Sequence, residues 1–324
     1  MSTLAAYRGR RVLVTGGLGF LGSHVARALL DHGARVVVLD ALVPGLGGDP
    51  AHLLPCAELE VGVGDLRDED ALARALDGAE WIFHLAGSTG HVRSMTAPRD
   101  DLSLNADATL ALIEGWRRLA PKARAIFAST RQIYGRTRGP LDERHPLDPV
   151  DVHGVSKAAC EQLLRVAGHA HGLAAVSLRL TNAYGPRMPL RANRGDVLGA
   201  FIRRALEGED LEVFLPGTDR RSFVHAEDVA AAFLVAGLHD GCLGRALNVA
   251  GSTPCSIREL ARAVAGVAGV RVREIPFPSD RRAIDVGDHP LDDRAFRALT
   301  SLRPRWDLEA GLRQTFEALQ RGRA

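Results

Sequence analysis

Directly after the apolar run Arg11–Thr15 (RVLVT) come Gly16, Gly17, Gly19 and Gly22, and directly after them a stretch, 22–32, with Val25, Ala28 and Leu29 at helical spacing and a stop at Gly33. Glycines this dense between a strand and a helix allow a tight turn and a close backbone approach. The positive end of the following helix is then open to an anion, and Gly22 permits close helix packing. A strand before and a helix after are the context that turns such a pattern into a dinucleotide-binding reading. The next strand, Arg35–Asp40 (RVVVLD), ends in a carboxylate 18 residues beyond Gly22. A carboxylate there accepts hydrogen bonds from ribose hydroxyls and repels a 2′-phosphate, so the expected cofactor is NAD rather than NADP. Asp65 closes the next strand and has an adenine-contact role as its functional reading.

The same alternation continues along the first half. Strands are expected at 61–65, 80–86, 124–129 and 174–180, with helices between them, notably 101–119 and 154–171. Strand and helix in strict turn require parallel strands joined by helical crossovers. The predicted fold is therefore α/β, a Rossmann-type doubly wound parallel sheet. After about residue 182 prolines and arginine clusters punctuate shorter elements, which read as a smaller, discontinuous C-terminal α/β substrate domain. The stretch 224–250 is expected to return to the sheet. The predicted boundaries are thus 1–182 with 224–250 for the NAD-binding domain, and 183–223 with 251–324 for the substrate domain.

Composition removes several other classes. The 324 residues are 46% hydrophobic, enough for a sizeable core. With 41 basic against 39 acidic side chains there is no field of one sign to hold a polyanion, so no nucleic-acid partner is expected. The longest charge-free run, 12–26, is short and glycine-rich, so no membrane span and no secretory segment are expected. Cys56, Cys160, Cys242 and Cys255 show no metal or disulfide-framework spacing, which suits a cytoplasmic protein, and no metal site is legible among the histidines. Among all the basic residues only Lys122 and Lys157 are lysines. A lysine in so arginine-biased a chain marks a place where arginine would not serve.

The chain resembles the extended short-chain dehydrogenase/reductases, within them the nucleotide-sugar epimerases and dehydratases. The resemblance runs over nearly the whole length: TGGLGFLG (15–22), GDL (64–66), FHLAG (83–87), the region of Asn105, FASTxxIYG (127–135), HGVSK (153–157), LRLTNAYGPRM (178–188), RRSFVHAEDVA (220–230) and LEAGLRQTFE (308–317). It implies a cofactor site on Gly16, Gly19, Phe20, Leu21 and Gly22, with Asp40, Asp65 and Leu66 further along. Leu85, Ala86, Gly87, Asn105 and Lys157 complete that site. For a nucleotide-diphosphate sugar it implies Ser88, Thr130, Asn182, Arg187, Arg221 and Arg282, with Asn182 and Arg221 on the diphosphate, where a planar guanidinium pairs two oxygens at once. Relatives commonly pair through the helices that correspond to 101–119 and 154–171, so a homodimer is expected.

Family members usually oxidise a sugar hydroxyl with a tyrosine as acid/base, a lysine four residues later and a Ser/Thr at the preceding strand end. By the resemblance Thr130 is the hydroxyl and Lys157 the lysine, whose flexible ammonium can donate to the nicotinamide ribose. The departure is His153 in the tyrosine's place. Imidazole can take and return a proton near neutrality, although it is shorter than phenol. The bland alternative is that His153 only fills the site and catalysis has moved or been lost. His84, in a strand pattern, reads as a satisfied core residue. The leading expectation is an NAD-dependent epimerase acting at C4 of a UDP- or dTDP-sugar. The alternatives are a decarboxylase, a ketoreductase, a dehydratase, or a noncatalytic NAD-responsive regulatory protein. The dehydratase is disfavoured because Arg131 and Gln132 follow Thr130 where many 4,6-dehydratases have Asp and Glu.

Overall fold

The computed structural model describes residues 3–137, 139–190, 196–277 and 290–321. Its strands in chain order are β1 (Arg11–Thr15), β2 (Arg35–Asp40), β3 (Leu59–Val63), β4 (Trp81–His84), β5 (Arg124–Thr130), β6 (Ala174–Leu180), β7 (Asn182–Tyr184), β8 (Leu211–Phe214), β9 (Arg220–Arg221), β10 (Phe223–His225), β11 (Ala246–Val249), β12 (Cys255–Ser256) and β13 (Val272–Ile275). The helices are α1 (Phe20–Asp31), α2 (Glu69–Leu76), α3 (His91–Thr96), α4 (Pro98–Leu102), α5 (Ala108–Leu119), α6 (Val152–His171), α7 (Val197–Leu206), α8 (Ala226–Leu238), α9 (Ile257–Ala268), α10 (Arg294–Thr300) and α11 (Leu308–Arg321).

Seven strands form one sheet in the order β3-β2-β1-β4-β5-β6-β11, every neighbour parallel. This is the doubly wound Rossmann arrangement the alternation predicts. Because successive strand residues point to opposite faces, β1 feeds two cores at once. Val12 and Val14 pack with Val25 and Leu29 of α1 and with Val229 and Phe233 of α8. Leu13 packs on the other face with Leu72 and Leu76 of α2, Leu112 and Trp116 of α5, and Cys160 and Leu164 of α6. Both faces are covered, so the strands read as continuous apolar runs. A further core gathers Leu198, Phe201 and Ile202 of α7, Leu260 and Val264 of α9, and Leu312 and Phe316 of α11, beside the parallel pair β8–β13.

Two helices near the cleft differ from expectation in ways that matter. The helix expected over 101–119 begins at Pro98, whose fixed φ suits a first turn, and contains a π-helical segment, Ser103–Asp107, before α5. The expected 154–171 helix starts earlier, because the Asp151 side chain caps it by accepting the Gly154 N–H at 2.6 Å. His153 therefore sits in the first turn of α6 and Lys157 one turn later. The stretch 224–250 is split: β10 pairs with β7 in a small separate sheet, while β11 joins the large sheet beside β6.

A buried ion pair locks α6 to this sheet. Arg179 on β6 donates to Glu161 on α6 through Nη2 at 2.7 Å, the Ser129 hydroxyl donates to the same carboxylate at 2.5 Å, and Arg179 Nη1 donates to the Tyr134 hydroxyl at 2.8 Å. Glu161→Gln would leave the guanidinium buried without its counter-charge, which costs about 3–5 kcal/mol in such pairs. The expected result in urea denaturation is a loss of that size; a change below about 1 kcal/mol would show that the pair does not hold α6 in place.

Candidate active site

A cleft of about 390 Å³ opens at the carboxyl ends of β1, β2, β4 and β5 and reaches β7. The crevice beside β1 is where the strand order reverses, the place where open parallel sheets bind ligands. Its floor is the glycine loop. Gly16 has φ +68°, and a Cβ there would stand 2.7 Å from the Ala86 backbone; a Cβ on Gly22 would collide with the Gly16 carbonyl. The loop is therefore packed too tightly for any side chain at these two positions. Helix α1 begins at Phe20 with no side chain capping its first turn, so its N–H groups are available to an anion. Asp40 shapes this loop as well as facing the cleft. Its carboxylate accepts the Leu18 N–H at 3.0 Å and the Leu42 N–H at 2.9 Å, which leaves acceptor capacity on both oxygens. Asp65 lines the cleft near Leu66, and hydrogen bonds from Arg67 hold its pKa below the usual carboxylate value.

Leu85, Ala86, Gly87 and Ser88 follow β4 along the cleft wall. Asn105 does not line the cleft; it stands behind that wall, on the π-helical segment. Its Nδ2 donates to Ser88 Oγ at 3.0 Å and to the Asp101 carbonyl at 2.9 Å, while its buried Oδ1 has no hydrogen bond and abuts Gly87. His84 is a satisfied core residue, with Thr15 on one ring nitrogen at 2.7 Å and Thr109 on the other at 3.0 Å; burial pulls its pKa down to about 3.

Thr130, His153 and Lys157 all line the cleft. Thr130 ends β5 and caps the short 3₁₀ turn Arg131–Tyr134. Lys157 is 5% exposed; its Nζ donates to the Ala128 carbonyl at 3.0 Å and lies 4.7 Å from the Phe127 ring centre. Burial lowers its pKa, opposed by the negative groups around it. His153 is 4% exposed, with Nδ1 buried and not hydrogen-bonded.

The residues expected to bind substrate scatter more. Asn182 lines the cleft on β7, its Nδ2 directed at the Ser222 carbonyl at 3.3 Å. Arg221 lies on β9 outside the lining, yet its positive charge is felt by Arg131. Arg187 does not line the cleft: its backbone is left-handed at φ +66° and its Nε donates to Ser23 on α1 at 2.9 Å, tying the loop after β7 to that helix. Arg282 lies outside the described residues. Arg131 and Gln132, which fill the two variable places in FASTxxIYG and weigh against a dehydratase, both line the cleft, although neither is among the expected site residues. Burial, with Arg221 adding to it, draws the Arg131 pKa down to about 9 despite Asp196 and Asp151. An arginine in that state favours an anion beside it. Among the described residues no cluster of His, Cys, Asp and Glu could hold a metal, and no helix is long and apolar enough to cross a membrane.

A parallel sheet with a glycine loop, a strand-end carboxylate and a buried lysine on one cleft defines a dinucleotide-dependent enzyme class of the Rossmann type. The chain belongs to the NAD dependent epimerase/dehydratase family, whose model matches residues 12–250. It is 32% identical over 277 residues to a UDP-glucose 4-epimerase of Azospirillum brasilense, covering 81% of this chain and 78% of that one. It is likewise 32% identical over 329 residues to a dTDP-glucose 4,6-dehydratase of Streptomyces niveus, covering 97% and 94%. A dTDP-glucose 4,6-dehydratase of Streptomyces venezuelae solved with NAD superimposes with a TM-score of 0.86 at 28% identity, over 97% of this chain and 98% of that one.

The unfilled acceptor capacity of Asp40 generates a prediction. The purified protein should bind NAD at least tenfold more tightly than NADP, a difference of about 1.4 kcal/mol, because the added phosphate would meet the carboxylate. Equal or inverted affinities in a fluorescence titration would remove Asp40 from the ribose site.

Proposed function

We propose that the protein is an NAD-dependent nucleotide-sugar epimerase acting at C4 of a UDP- or dTDP-sugar, with His153 as its acid/base. The observation that carries this reading is the side-chain set after β5: Thr130, Arg131 and Gln132 face the cleft that also holds His153 and Lys157, with no carboxylate among the three. Dehydration would call for an acid and a base on neighbouring sugar carbons. Inverting one hydroxyl calls for a single proton acceptor and a hydroxyl-binding group, and His153 and Thr130 are of those kinds.

Bound NAD supplies a reversible hydride acceptor. The glycine loop and the first turn of α1 hold its pyrophosphate, Asp40 a ribose, and Lys157 the nicotinamide ribose. His153 takes the proton of the sugar hydroxyl and returns it after the ketone has turned its other face. Thr130 donates a hydrogen bond to the reacting oxygen. Residues 183–223 and 251–324 belong to the substrate side, and Arg221 from it, with Asn182 and Arg131 from the NAD-binding side, carries the diphosphate and sugar. Apolar side chains left exposed on α5 and α6, Leu110, Leu119, Val155 and Val166, support a homodimer through those helices. The low-cysteine, disulfide-free pattern supports work in the cytoplasm.

A panel of UDP- and dTDP-sugars tests the reaction. Epimer should form without added cofactor turnover, without carbon dioxide and without loss of water; any of the other product sets would replace the epimerase reading. On the substrate so found, His153→Ala and His153→Phe should each lower kcat by about 10²- to 10⁴-fold while NAD stays bound. Turnover near wild type in both would make His153 a spectator. Arg221→Ala should weaken sugar-nucleotide binding by roughly 1.5–3 kcal/mol and leave NAD affinity unchanged, as calorimetry would read. Unchanged affinity for both would move the diphosphate elsewhere.

A further inference from the structure

The most buried carboxylate near the cleft belongs to a residue that no motif marks. Asp101, 1% exposed on α4, accepts the Ser88 hydroxyl on Oδ2 at 2.5 Å and the Ser156 hydroxyl on Oδ1 at 2.7 Å. Both neighbours donate, so the carboxylate is used purely as an acceptor, and each oxygen keeps a further lone pair. Burial pushes its pKa up, but His153, Ser88 and Ser156 outweigh that and bring it to about 2. Its Oδ2 lies 3.7 Å from Nδ1 of His153, the ring nitrogen that is buried and makes no hydrogen bond.

The charges around the ring decide what that proximity means. His153 lies in the first turn of α6, where the helix dipole opposes a positive imidazolium. Lys157 stands one turn further along the same helix, and Arg131 reaches the cleft from the turn after β5. Both are donors only, so neither can accept the Nδ1 hydrogen. With the hydrogen on Nε2 instead, the Nδ1 lone pair would face an ionised carboxylate in a dry site, a repulsive arrangement.

Resting on the acid/base reading of His153, we propose that Asp101 is its positioning residue. The carboxylate accepts a hydrogen bond from Nδ1–H, keeps the Nε2 lone pair as the ring's proton acceptor, and offsets the charge the ring gains when it holds a proton. The 3.7 Å separation closes to hydrogen-bond length by a small ring movement, and contacts of this kind are often long before the ligand is bound. Ser88 and Ser156 brace the carboxylate and Asn105 holds Ser88 and the Asp101 carbonyl, so the residue after FHLAG and the π-helical turn support the acid/base as well as the cleft wall.

The test reads the tautomer directly. In ¹⁵N-histidine-labelled protein with NAD bound, the neutral His153 ring should carry its hydrogen on Nδ1. Asp101→Asn is nearly isosteric and should shift the ring toward the Nε2–H form, while Asp101→Glu should keep the wild-type tautomer. On an identified substrate Asp101→Asn should also lower kcat at least about tenfold with KM nearly unchanged. An Nε2–H tautomer in the wild-type protein, or identical ring spectra in wild type and Asp101→Asn, would overturn the proposal even if turnover fell. The spectra require no turnover. A tautomer that follows Asp101 combined with full activity of His153→Ala would uphold the pairing and defeat the acid/base reading instead.

Discussion

A single dry ammonium organises the catalytic side of this molecule. Lys157 gives up its hydration to lie under the cleft, where it has one carbonyl, that of Ala128, and the face of Phe127. An ion in that position is tolerated only if negative charge stands near it. Besides the Cys160 sulfur, Asp101 and Glu161 are the negative groups that oppose the burial of this ammonium, and each carboxylate is itself tied into a network. Through Glu161 the requirement reaches Arg179, Ser129 and Tyr134, and so locks α6 against β5 and β6. Through Asp101 it reaches Ser88, Ser156 and Asn105, and so sets the wall behind the cleft.

The sheet decides where this arrangement can face a ligand. β1 lies between β2 and β4, so the chain leaves the sheet in opposite directions on its two sides and a crevice opens at the strand ends. The glycine loop fills one side of the crevice and the turn after β5 the other. Gly16 and Gly22 bring the backbone within reach of a pyrophosphate because nothing larger fits against Ala86 and Gly16. Asp40 then serves two purposes with one carboxylate, bracing Leu18 in the loop and facing outward. His153 and the Arg131–Gln132 pair all line the far side of the cleft, away from the glycine loop.

Arg131, Arg221 and Lys157 bring positive charge to that far side, Asp196 and Asp151 oppose it at Arg131, and the buried Asp101 carboxylate lies 3.7 Å from the imidazole. A phenol works as a base only in its phenolate form, an anion that positive surroundings stabilise and that becomes neutral on taking a proton; a neutral imidazole that takes a proton becomes a cation, which they oppose. An imidazole used as a base in this place is therefore helped by a nearby carboxylate as a phenolate would not be.

Local spacing was sufficient for much of this. Helix and strand periods, the glycine run and the strand-end Asp40 are properties of neighbouring residues, so the parallel sheet and the dinucleotide end of the cleft could be read from the chain, and the rarity of lysine singled out Lys157. Thr130 and Asn182 line the cleft, whereas packing sets Asn105 behind its wall and ties Arg187 Nε to Ser23 of α1. The placing of Asp101 and the character of Arg131 also depend on packing. The Asp101 partner Ser156 is 55 positions away, and Arg131 acquires its character from burial and from Arg221 on a different strand. Period and propensity act over a few residues, whereas hydrogen bonds and desolvation depend on which distant side chains the fold brings together, and only the tertiary structure decides that.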